Sequence, residues 1–179
     1  GYLHQLHILH PSFSKKKEVF ADIAKETRHA VVFHEINKKR VKGLQSGHGS
    51  WTESVDSQFL VPDLLQGFEC AIYSDNDFYI KGGLSSLIKL DMKGAPIGTA
   101  AREVNSPVMK WLNYFPENNS KDTFMSDFLL MDLGKMHKEG LTKSLLETVK
   151  SYGETLKIFD LDALNLTRSH ILSHLNITY

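Results

Sequence analysis

The chain has 179 residues, a length that suits one compact domain of the usual ~100–200. Hydrophobic residues make up 41% and charged residues 23%, a globular mix that sets aside disordered and fibrous architectures. Lys plus Arg and Asp plus Glu each number 21, so the net charge is zero and nucleic acid, which needs a basic surface, is not an expected partner.

No apolar run approaches the ~20 residues of a membrane span, and no charged-then-apolar leader opens the chain. The single cysteine, Cys70, excludes an internal disulfide and a thiolate zinc cluster. Its apolar neighbourhood, Phe68–Tyr73, predicts a buried inert thiol, and one cysteine fits a reducing compartment.

Taken in order, Leu3–Leu9 alternates and predicts a strand with almost no lead-in. Such a start suits an excerpt of a longer protein, or a protein without an expected first unit. Ser14 is the predicted N-cap of a helix over 15–29, whose Val19, Phe20, Ile23 and Ala24 share a face. Ala30–Phe33 with Ile36 predicts a second strand, and this βαβ unit implies parallel pairing. Residues 37–51 are basic and rich in Gly and Ser, as in a surface loop. Residues 53–66 suit a helix that Pro62 must start or kink.

Glu69–Tyr73 predicts a central strand buried on both faces, ending in Ser74-Asp75-Asn76-Asp77. A short strand at Phe78–Ile80, a short helix over Leu84–Leu90, a turn at Lys93-Gly94 and a strand at Pro96–Ala101 follow. Residues 102–122 are irregular, with Trp111, Tyr114 and Phe115 as loop anchors or sugar-stacking rings. Phe128–Leu133 predicts a strand, and 137–152 and 160–175 predict helices. No linker or repeat divides the chain. Asn118, Asn165 and Asn176 head glycosylation triplets that matter only in a secreted protein.

Asp75 and Asp77 follow the strongest strand candidate, and ligands of open α/β sheets bind beyond the carboxyl ends of strands. Two carboxylates at i and i+2 in an extended segment project to one side. Their oxygens suit Mg²⁺ or Mn²⁺, which could neutralise a departing diphosphate. A D-x-D alone is a weak signal, since acidic triplets are common in solvated turns.

The wider run Ala71-Ile72-Tyr73-Ser74-Asp75-Asn76-Asp77-Phe78-Tyr79-Ile80-Lys81-Gly82-Gly83-Leu84 resembles the core signature of family 8 glycosyltransferases. Val61–Leu65, Leu90–Gly98, Phe128–Met136 and Asp160-Leu161-Asp162-Ala163-Leu164-Asn165 are similar to further blocks of that family. Their order and spacing match over about residues 3–179.

The resemblance implies an α/β, GT-A-type (Rossmann-like) fold: a mixed, mostly parallel sheet flanked by helices, in one domain over 1–179. It implies retaining transfer of a hexose from a UDP-sugar to a glycan or lipid-linked sugar, with Mn²⁺ or Mg²⁺. Carried over by position, Tyr73, Asp75, Asn76 and Asp77 would bind the donor. Asp75 and Asp77 would hold the metal, and Asp160 and Asp162 would act near the donor sugar. A cytoplasmic protein follows, or a Golgi or ER lumenal one in a eukaryote.

The sequence also departs from that pattern. A family Arg that helps hold the donor falls at Gln58, which cannot supply a cationic fork. The family's Asn-x-Gly falls at Met125-Ser126-Asp127, and the Gln of Asp-Gln-Asp is Leu161. The usual N-terminal nucleotide-binding strand and the C-terminal segment with a third metal ligand, a His, are not matched. These departures motivate the alternative of an inactive GT-A-like binding domain. A Mg²⁺-dependent phosphotransferase ranks lower, because no phosphate-cradling glycine motif is present.

His170 and His174 have the spacing of a helix-face metal pair, but surface histidines are the simpler reading. His4, His7 and His10 on the first strand are discounted similarly. Lys15–Lys17 and Lys38–Arg40 with Lys42 read as solvated faces, with phosphate or peripheral membrane contact as the minority reading.

Overall fold

The computed structural model describes residues 5–10, 17–27, 30–36, 55–100, 124–156, 159–167 and 172–175. The loop 37–51, the aromatic segment 102–122, His4, His170 and the lysines before Lys17 or after Ile36 up to Lys42 lie outside them.

β1 (Gln5–His10), α1 (Lys17–Thr27) and β2 (Ala30–Glu35) make the expected βαβ unit. The strands pair in parallel, from Gln5 opposite Ala30 to His10 opposite Glu35. The Ile36 amide N–H then donates to the His10 carbonyl, extending the ladder.

A second sheet contains β3 (Cys70–Ser74), β4 (Ile97–Ala100), β5 (Phe128–Asp132) and β6 (Leu172–Leu175), in the order β3-β5-β4-β6. β4 and β6 are parallel, whereas β5 runs antiparallel to β3 and β4. The class is therefore mixed α/β, and among the described residues the parallel pairs are β1–β2 and β4–β6.

The strand read as central, β3, stands at the edge of its sheet among the described residues, and Cys70 is exposed. The central place goes to β5, whose Leu129, Leu130 and Met131 are buried on both faces. Partial desolvation, then Glu69 and Asp132, raise the Cys70 thiol above its ordinary value. Its nucleophilic thiolate is thus suppressed even though the residue is not buried. Phe78–Ile80 forms no strand, and Tyr79 is 83% exposed.

Two other boundaries moved for local reasons. The predicted helix 137–152 is split into α3 (Leu133–Lys138) and α4 (Leu141–Tyr152). Gly140 separates them with φ 65°, a conformation that penalises residues carrying a Cβ. The predicted helix 160–175 is α5 (Phe159–Leu166) followed by β6, so His174 sits in a strand opposite Thr99. Backbone pairing with β4 overrides the helical spacing of Ile171 and Leu175. A helix-face pair of His170 and His174 is thereby removed.

Leu141, Leu145 and Val149 recur every four residues and line the buried stripe of α4. They share a core with Phe59, Ile97, Leu129, Met131, Met136 and Leu164. Phe59 comes from the 3₁₀ turn Val55–Leu60, which runs into the short α2 (Val61–Leu64). Pro62 sits in the first turn of α2, where its missing N–H is harmless. Among the described residues no helix is long and apolar enough to cross a membrane.

Candidate functional site

β3 delivers Tyr73 and, one residue past its end, Asp75. The Asp75 N–H donates to the Asp127 carbonyl at 3.0 Å, which ties the strand end to the segment leading into β5. The Tyr73 hydroxyl donates to Asp75 Oδ1 at 2.7 Å and so orients that carboxylate. Asn76 and Asp77 form a turn rather than continuing extended, leaving Asp75 half-buried and Asp77 exposed. Phe78 packs on Phe128 at a ring separation of 5.5 Å, which anchors the chain just after the acidic turn.

The first turn of α5 brings Asp160, which is buried, to the same region; Asp162, two residues on, is buried as well. Gln58, on the 3₁₀ turn, donates Nε2–H to Asp160 Oδ2 at 2.6 Å. The Ser126 side chain and the Leu161 N–H also bond to Asp160. Asn165 locks the helix against the 124–126 segment. Its Oδ1 accepts from the Phe124 N–H at 3.0 Å, and its Nδ2 donates to the Phe124 and Leu161 carbonyls at 2.9 and 2.8 Å. With its amide so occupied and 1% exposed, Asn165 is not available to a glycosylating enzyme.

The result is a gathering of carboxylates that perturb one another. Burial raises the Asp75 carboxyl; the Tyr73 bond opposes this, and Asp127 and Asp77 add to it. Burial, the bond to Asp75 and then the charges of Asp75, Asp160 and Asp127 raise the Tyr73 hydroxyl, which stays protonated. Burial pushes Asp160 up to about 6, against the bonds from Ser126, Gln58 and Leu161 and with a contribution from Asp75. Such mutually strained carboxylates are typical of sites awaiting a positive partner.

A hard divalent cation fits the chemistry of this donor set, because Asp75 and Asp77 offer carboxylate oxygens and their crowding would be relieved by positive charge. Among the described residues no three His, Cys, Asp or Glu side chains are grouped into a metal cage. A cation held here would complete its shell with ligand and water oxygens.

Tyr73, Asp75, Asp77 and Asp160 are thus brought together, with Asn76 in the exposed turn; Asp162 is buried on α5. Sequence reading missed Gln58, Ser126, Asp127 and Asn165 as parts of the site. Gln58, Ser126 and Asp127 had registered only as departures from a family pattern, and Asn165 only as part of a matching block. Two strand histidines pair with each other: His7 Nδ1 and His34 Nε2 lie 2.8 Å apart, and desolvation followed by His34 lowers the His7 ring.

The profile described as "Glycosyl transferase family 8" matches residues 3–179. Glycosyltransferase GlyF of Streptococcus pneumoniae serotype 4 (TIGR4) is 26% identical over 95 residues, 53% of this chain and 21% of GlyF. The galactosyltransferase LgtC, solved with donor and acceptor sugar analogs, superposes with a TM-score of 0.77 at 18% identity. That match covers 96% of this chain and 62% of LgtC. Glycosyltransferase GlyE of S. pneumoniae TIGR4 superposes at 0.69 and 16% identity, over 96% of this chain and 38% of GlyE. Mouse xyloside xylosyltransferase 1 does so at 0.68 and 20% identity, over 96% and 71%. These likenesses show a GT-A fold, and the chain spans well under half of GlyF and GlyE and somewhat less than two thirds of LgtC.

Proposed function

The chain belongs to glycosyl transferase family 8, and from that premise we propose that it is the core of a retaining glycosyltransferase. It moves a hexose from a nucleotide sugar, UDP-linked, to a glycan or lipid-linked sugar acceptor. The observation that carries this reading is the meeting of the β3 end with the first turn of α5. Asp75 and Asp160, distant in sequence, are close enough there for each to perturb its neighbours' protons.

In this reading Asp75 and Asp77 hold Mn²⁺ or Mg²⁺, which supplies positive charge against the departing diphosphate. Tyr73 keeps Asp75 in the rotamer that faces the donor, through its 2.7 Å bond. Asp160, fixed from two sides by Gln58 and Ser126, orients the donor sugar, with Asp162 behind it. Fixing these groups before the donor arrives removes reorganisation from the barrier.

Donor hydrolysis and transfer with Mn²⁺, on the full-length protein and on Asp75→Asn and Asp77→Asn, test the assignment. A loss of at least ~10²-fold in kcat/KM is expected for Asp75→Asn. Full activity in both variants would sink the metal role.

A second reading, a GT-A-like domain that binds without turnover, is favoured by Met125. This residue stands where the family pattern has Asn, and it is buried with a side chain that offers no hydrogen-bond donor to a sugar. Calorimetry of UDP with and without Mn²⁺ separates the two. Metal-dependent binding without any transfer supports the second, and transfer supports the first.

A further inference from the structure

Gln58 is 1% exposed, on a turn whose neighbours Phe59 and Leu60 are core residues. At such a position an apolar side chain would pack with no unmet polar group. Gln58 instead spends its Nε2–H on Asp160, while its Oε1 is buried without a hydrogen bond. An amide that leaves its own carbonyl unsatisfied is poorly chosen for stability. Its one bond, short and made to a carboxylate, is of the stronger charge-assisted kind.

We propose that Gln58 is the positioning residue of Asp160: it clamps the carboxylate toward the donor without neutralising it, so that the sugar end of the site keeps its negative charge. A cation at this place would pair with Asp160 and cancel that charge. Asp160 is faced by Gln58 from the 3₁₀ turn, by Tyr73 of β3 and Asp75 just past its end, and by Ser126 from the segment before β5. Its own helix adds the Leu161 N–H and carries Asp162. None of these is basic. A pocket of this kind selects a donor whose sugar offers hydroxyl or amide N–H donors and rejects one bearing a carboxylate, such as a uronic acid. This inference rests on the glycosyltransferase reading for its sugar and on the geometry alone for the clamp.

The test uses the full-length protein with ¹³C-labelled aspartate and the variants Gln58→Leu, Gln58→Glu and Gln58→Arg, with Asp160→Asn assigning the signal. Loss of the clamp in Gln58→Leu is expected to raise the Asp160 titration midpoint by about one pH unit. A cation in Gln58→Arg is expected to lower it by about 1–3 units. Gln58→Glu, able to donate only when protonated, is expected to regain function as pH falls.

In the transfer assay, Gln58→Leu is expected to lower kcat by ~10-fold or more with KM changed less than ~3-fold. Gln58→Arg is expected to admit a UDP-uronic acid that the parent rejects. Unmoved Asp160 midpoints in the Leu and Arg variants overturn the clamp, whether or not the protein transfers sugar. Moved midpoints with unchanged kcat in an active enzyme overturn its positioning role. Uronic acid turnover by the parent overturns the selectivity. If the parent transfers no sugar at all, the glycosyltransferase reading fails while the midpoints still decide the clamp.

Discussion

Replacing Asp160 by Asn is expected to stabilise the protein near neutral pH. Asp160 is 7% exposed, and burial raises its carboxyl from 3.8 to about 6. A folded value above the unfolded one means that the folded state holds the proton more tightly. The group therefore favours folding below pH ~3.8, and this contribution is lost as pH rises through about 6. The difference is roughly two pH units at about 1.4 kcal/mol each. Ionised Asp160 thus costs the fold about 3 kcal/mol near pH 7.5.

Asn has the same shape and no charge, and its carbonyl can accept the Gln58 N–H. Asp160→Asn is expected to raise Tm by about 6–12 °C near pH 7.5 in a chain of this size. It gains little below about pH 3.8, where the native residue is already neutral. Thermal unfolding followed by circular dichroism in EDTA, over several pH values, measures this directly. An unchanged or lower Tm near pH 7.5, or a gain that does not shrink on acidification, refutes the reasoning. Under the proposed assignment of Asp160 to the donor sugar, the same variant should be impaired in transfer.

Leu145 is fully buried in the α4 stripe, so Leu145→Ala should lower unfolding free energy by about 2–5 kcal/mol in a urea titration. Asn165→Ala removes all three bonds to the Phe124 segment and the first turn of α5. It should destabilise by roughly 2–4 kcal/mol and broaden the NMR signals of Ser126 and Asp127. At Gly140 an added Cβ would meet nothing within 4 Å, so Gly140→Ala isolates the backbone term of its left-handed conformation. A loss of about 1 kcal/mol is expected in the same titration, with Gly140→Asn losing less.

The elements that were legible in the sequence are those whose signal is local. The βαβ start, the Leu141–Leu145–Val149 stripe and the apolar run of β5 announce themselves by period or composition. What misled were features settled by partners elsewhere. Leu172–Leu175 keeps helical spacing with the residues before it, yet β4 recruits it as a strand. Glu69–Tyr73 looks as apolar as a central strand, but only β5 pairs with it among the described residues.

At the site, Asp75 and Asp77 stood out by their place after a strand, and Asp160 by the family block that contains it. Gln58 and Asn165 did not, because their importance lies in the hydrogen bonds they make. No spacing rule links residue 58 to residue 160.

That link also bears on how the chain folds. The Gln58–Asp160 bond joins positions 102 residues apart, and β6 pairs with β4 across a comparably long stretch. Loops of this length have to close before such contacts return any free energy, so they form late and slowly compared with the local helix α4. The acidic site, which depends on these long-range contacts, is thus expected to be assembled after the local helices. A ligand that binds there reports on the entire folded state and stabilises it as a whole, while a destabilising change far from the pocket weakens the pocket with it.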